Sequence, residues 1–153
     1  MKFLGRLLAL LMVLDIQAAQ HPAHTLAQAF IALIGERYGK ASSMSVDFET
    51  ALDDLYADTY MIISNDNLIA TSRNAFKENL KKAKCNAGLW RVTDVIYAPN
   101  GSDTKVCKIA FRCWTEKTGV FDVNAEIQSS FDGARIEFLE ETVEQIYTVE
   151  QVS

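Results

Sequence analysis

Proton transfer requires a carboxylate or an imidazole held within hydrogen-bond reach of the reacting atom. This chain offers Asp53 and Asp54, Asp58, a C-terminal set of Glu137, Glu140, Glu141 and Glu144, and the two histidines His21 and His24. Asp53 and Asp54 fall on the polar side of a helical pattern and read as solvated. Asp58 stands where that helix gives way to a strand, a junction at which a carboxylate commonly accepts backbone hydrogen bonds. The histidines lie in a lead segment before the first regular element. Nucleophilic or metal chemistry would draw on Cys85, Cys107 and Cys113, yet no Cys or His pair has ligand spacing, so neither a metal nor any other cofactor is expected. Cys107 and Cys113 lie on one face of one strand, about 20 Å apart, and a disulfide needs alpha carbons within roughly 7 Å. They cannot pair with each other. Cys85 could pair with either in an exported protein; otherwise all three serve as small buried hydrophobes.

The elements that must position these groups are organised around residues 105–131. Cys107, Ile109, Phe111 and Cys113 alternate with polar residues, and after a turn at Lys117-Thr118-Gly119 so do Phe121, Val123, Ala125, Ile127 and Phe131, with Ser129 the single polar entry. A period of two over this length specifies a half-buried antiparallel hairpin whose register cannot slip without turning the apolar set outward. Upstream, Thr25 can cap a helix to about Tyr38 with the stripe Leu26, Phe30, Leu33 and Ile34, and Ser45 a second one burying Phe48, Leu52, Leu55 and Tyr56. A short hairpin follows over 59–63 and 68–71, then a third helix over 73–84 that shows Lys77, Lys81 and Lys82 to water. Strands over 89–97 and 135–147 flank the long hairpin. The expected fold class is α+β, three helices on one face of a strongly curved antiparallel sheet.

The charge balance of 15 basic against 20 acidic residues, net −5, carries no basic stripe, which excludes nucleic acid as a partner. Lys2 and Arg6 precede the apolar run Leu7 to Leu14 and a small-polar stretch at Gln17-Ala18-Ala19-Gln20, the pattern of an export signal too short to span a bilayer. The expected organisation is a signal peptide over 1–19, a flexible lead over 20–24, one domain over 25–147 and a tail over 148–153. The localisation is then secreted or periplasmic, or cytoplasmic if the apolar run is a packed helix.

The run Leu55-Tyr56-Ala57-Asp58-Thr59-Tyr60-Met61-Ile62-Ile63-Ser64, followed by a helix from Ser72-Arg73-Asn74-Ala75-Phe76, resembles the signature of nuclear transport factor 2-like and SnoaL-like proteins. Phe131-Asp132-Gly133-Ala134-Arg135-Ile136, turning into a last strand, is similar to their closing pattern. Ser72 replaces their usual glycine. The family includes enzymes and binding domains. For its ketosteroid isomerase branch, the resemblance puts Ser64 where the general base would be a carboxylate, and Phe30 and Ile127 where the oxyanion donors would be. The His/Asp pair of dehydratase relatives has no counterpart inside the domain. For an epoxide hydrolase-like Arg between carboxylates, the nearest approximation is Arg135 with Glu137, on a strand whose Glu140, Glu141 and Glu144 read as a solvated edge.

The resemblance therefore implies a non-catalytic domain whose cone holds a small apolar ligand or which acts as a dimeric interaction module. The inner wall should comprise Phe30, Ile34, Tyr60, Ile62, Ser64, Phe111, Cys113, Ile127 and Ser129, a surface suited to burial with a few orienting hydroxyls. Arg112, Trp114, Glu126 and Gln128 should face the other way, either paired across strands or forming a homodimer interface, which this family often builds there. The alternative is a SnoaL-like enzyme, an isomerase, dehydratase or hydrolase with a non-standard residue set. That alternative requires a carboxylate inside the cavity with a raised pKa.

Overall fold

The alternation in the long hairpin becomes two paired strands, β4 (Asp103–Thr115) and β5 (Gly119–Ser129), in the register that places Cys107 opposite Ile127, Ile109 opposite Ala125 and Phe111 opposite Val123. All six side chains are buried, which ties the period-two pattern to the core it builds. The computed structural model describes residues 21–34, 46–83, 90–116 and 118–148. The expected export segment, the first helix beyond Ile34, the Ser45 cap, Cys85 and the last tail residues lie outside the described residues.

In chain order the elements are α1 (Pro22–Leu33), α2 (Val46–Leu55), β1 (Tyr56–Ser64), β2 (Asn67–Ala70), α3 (Arg73–Ala83), β3 (Trp90–Asn100), β4, β5 and β6 (Ile136–Tyr147). The strands form one sheet in the order β2-β1-β6-β5-β4-β3, antiparallel at every step except β1–β6, which is parallel. Helix α1 packs on β4 and β5, whereas α2 and α3 pack on β1. The architecture is the expected α+β arrangement of helices on a mostly antiparallel sheet. Among the described residues no helix is long and apolar enough to cross a membrane.

Several features differ from expectation, among them β1, which already begins at Tyr56, so that Asp58 lies inside that strand and not at a helix–strand junction. Helix α1 starts at Pro22, not after Thr25, because Pro22 occupies the first turn, where its missing N–H is no loss, and His21 caps it by accepting the His24 N–H on Nδ1 at 3.1 Å. Residues 21–24 are thus part of the packed domain, with Ala23 fully buried, and are not a free lead. Strand β5 ends at Ser129, so Phe131 sits in the turn, 91% exposed, with the Lys105 ammonium 4.5 Å above its ring. Lys77 does not face open water but pairs with Asp53, a carboxylate that Arg73 also contacts at 3.0 Å. Those two cations hold the Asp53 carboxyl below its usual range, Lys77 having the larger effect, and Arg73 ties the site further by donating to the Tyr56 carbonyl at 2.9 Å and pairing with Asp58.

Candidate functional site

Strand β6 has alternating burial at its centre: Leu139 is buried, Glu141 and Val143 are half-buried, and Glu140, Thr142 and Glu144 are exposed. Successive strand residues point to opposite faces, so Glu141 shares the concave face with Leu139 and Val143. Its neighbours agree. Toward β5 it pairs with Ala125, which is buried, and toward β1 it pairs in parallel register with Ser64, the last residue of that strand. The reading of Glu141 as part of a solvated edge is therefore corrected: Glu140 and Glu144 face water, and Glu141 faces the core side.

Burial pushes the Glu141 carboxyl above its usual range, and a hydrogen bond donated by the Ser64 hydroxyl pulls partly against that rise. Loss of hydration disfavours the charged form, while donation to a carboxylate favours it. Among the described residues, the buried and half-buried inner-face positions of β1, β4, β5 and β6 include no Lys or Arg to compensate. A carboxyl in this state holds its proton to higher pH than a surface glutamate and, once ionised, is the stronger base.

The same row of the sheet runs Ser64, Glu141, Ala125, Ile109, Tyr97, joining both walls of the concave face. Burial first, and the neighbouring Cys107 second, raise the Tyr97 phenol. The His24 ring lies 5.2 Å from that of Tyr97. Both histidines thus pack at the start of α1, His24 against β3, a correction to their expected place in a free lead. Cys107 and Cys113 are buried free thiols; burial raises both, Cys113 to about 12, which removes them as nucleophiles at neutral pH. Among the described residues no group of three or more His, Cys, Asp or Glu could hold a metal.

Of the expected wall residues, Phe30, Ile34, Tyr60, Ile62, Phe111, Cys113, Ile127 and Ser129 are all buried and Ser64 is half-buried. Phe30 meets Phe111 edge-on at 6.2 Å, while Tyr60 stacks on Tyr56 and meets Phe76 of α3 edge-on, away from the Ser64 end of β1. Arg112, Trp114, Glu126 and Gln128 lie on the outer face and make contacts within the chain. Arg112 binds Asp122 with two hydrogen bonds of 2.7 and 2.9 Å, the Arg91 guanidinium lies 5.6 Å from the Trp114 ring, and Gln128 donates to Glu126 at 3.2 Å. Arg135 and Glu137 are both exposed, and Arg135 donates to the Asp53 carbonyl, so they form no internal Arg–carboxylate centre.

No family model and no curated protein matches this sequence. Solved structures do share its fold. A SnoaL-like family protein from Agrobacterium tumefaciens assigned as an isomerase aligns with a TM-score of 0.60 at 12% identity, over 80% of this chain and 97% of that one. An NTF2-like protein of unknown function from Exiguobacterium gives 0.58 at 11% identity, over 78% and 98%. An epoxide hydrolase of the LEH-like type from M. tuberculosis gives 0.55 at 13% identity, over 80% and 83%. At such identities the likeness concerns backbone architecture, and on that ground the chain has the NTF2-like and SnoaL-like fold.

Proposed function

We propose that this domain takes a small, uncharged, largely apolar molecule into its cone and that Glu141 exchanges a proton with it. The observation that carries the reading is a desolvated carboxyl on the concave face at the register of Ser64. In the resemblance, Ser64 occupies the position where a carboxylate base is missing; Glu141 supplies a carboxyl one strand away. Ser64 then acts as a positioning donor to that carboxyl, and the hydrocarbon of Ile62, Leu139 and Val143 favours an apolar substrate body. The buried neighbours of Glu141 on the inner face are apolar or carry hydroxyls, which suits an uncharged substrate body. The reaction class is abstraction or return of a proton beside a carbonyl. Small ketones in D2O, incubated with wild type and with Glu141→Gln, test it. Wild type should exchange α-hydrogens about 10²-fold or more faster than the variant; equal rates would contradict the role.

A second reading, a homodimer through the outer face, is supported by Ile96, which is 66% exposed beside Ala98 and Ala110. Ile96→Glu should then halve the sedimenting mass, and an unchanged mass would count against the dimer. The Lys2 to Leu14 pattern supports export, which the mass of the mature chain from its own host tests.

A further inference from the structure

Residues 64–67 form a two-residue hairpin turn in which Asn65 and Asp66 both have positive φ, 47° and 63°, closed by the Ser64–Asn67 pair. This geometry restricts position 65 to glycine, asparagine or aspartate in practice. Asparagine does something there that the turn itself does not require. The parallel β1–β6 ladder ends at Ser64–Glu141. Beyond that rung the Asn65 side chain continues the ladder: its Nδ2 donates to the Val143 carbonyl at 3.2 Å, and the Val143 N–H donates to its Oδ1 at 2.8 Å. The Asn65 backbone N–H donates to the Glu141 carbonyl at 2.9 Å. One residue thus holds both the carbonyl of Glu141 and both backbone polar groups of Val143.

We propose that Asn65 is a positioning residue of this site, its amide acting as a surrogate strand that locks β6 in register past the end of β1 so that the Glu141 carboxyl is held inward against Ser64. The inference rests on the acid–base reading of Glu141. The opposite edge of β6 is paired with β5 through this stretch, so Asn65 fixes the edge on the β1 side, and loosening that edge would let the Glu141 carboxyl move away from Ser64. Of the three residues the turn accepts, only asparagine has both a donor and an acceptor to offer. Glycine keeps the turn and removes the clamp. Aspartate keeps the acceptor for the Val143 N–H and loses the donor.

The experiment is a carbon-13 titration of the glutamate carboxyls in wild type, Asn65→Gly and Asn65→Asp, with Glu141→Gln as the assignment control and amide exchange of Val143 read on the same samples. In Asn65→Gly the Glu141 midpoint should fall toward the ordinary value, and the Val143 amide should exchange at least about tenfold faster. Asn65→Asp, with one of the two amide bonds left, should keep the Val143 amide protected. An unchanged Glu141 midpoint in a folded Asn65→Gly protein overturns the inference. If wild-type Glu141 itself titrates normally, the functional reading fails instead, so the two failures are distinct.

Discussion

Ser64 and Glu141 are partners at the last rung of the only parallel ladder in the described sheet, and the Ser64 hydroxyl offsets part of the rise that burial imposes on the glutamate carboxyl. The pair joins the end of the first strand to the middle of the last, residues far apart in the chain. Its chemistry comes from the imbalance between what burial withdraws from the carboxylate and what one hydroxyl returns.

That imbalance makes stability depend on pH. The folded Glu141 pKa is raised above the ordinary 4.5, so between 4.5 and the folded value the native state binds the extra proton, and stability falls as pH rises through that window. Glu141→Gln carries no such penalty. Urea midpoints should coincide for the two proteins at pH 4, with the variant more stable at pH 8.

Leu139, fully buried two residues before Glu141, anchors the same stretch of β6 between Ile62 and Ile127. Leu139→Ala should lower unfolding free energy by about 2–5 kcal/mol through lost burial and the cavity left behind. Urea unfolding measures it, and a loss below about 1 kcal/mol would mean that the site collapses around the smaller side chain.

Gly119 closes the β4–β5 turn at φ +110°, and a β-carbon there would clash with the Tyr147 carbonyl oxygen. The obstacle is backbone of β6, which cannot rotate aside. Gly119→Ala should lower the melting temperature by several degrees, the effect of roughly 1–3 kcal/mol in a domain of this size.

Cys107 and Cys113 should resist Ellman's reagent at pH 8 in the folded protein, since both are buried and burial keeps the thiols protonated. A Cys85→Ser protein isolates the two. Reaction should appear only when urea unfolds the chain.

The β4–β5 hairpin was legible in the sequence because its period-two pattern holds through Cys107–Cys113 and Phe121–Ile127 and both faces are chemically distinct. Glu141 was not, because the run Glu137, Glu140, Glu141, Glu144 looks like one acidic strip when read by composition. The signal was present in the spacing: Leu139 and Val143 flank Glu141 at two-residue steps, which assigns it to their face. Its partner was beyond local reading, since the parallel pairing of β1 with β6 is fixed by tertiary packing. The start of α1 was missed for a different reason. Pro22 reads as a breaker, yet at the first helical turn it is an initiator, and a histidine acting as the cap is a less usual choice than Thr25.

The most direct measurement is the carbon-13 titration of Glu141 in the wild-type protein. A carboxyl resonance that is lost in Glu141→Gln and titrates clearly above 4.5 is the result expected for a desolvated proton carrier facing the cone. A midpoint at or below 4.5 would mean that Glu141 is hydrated like any surface glutamate, and the acid–base reading would be wrong.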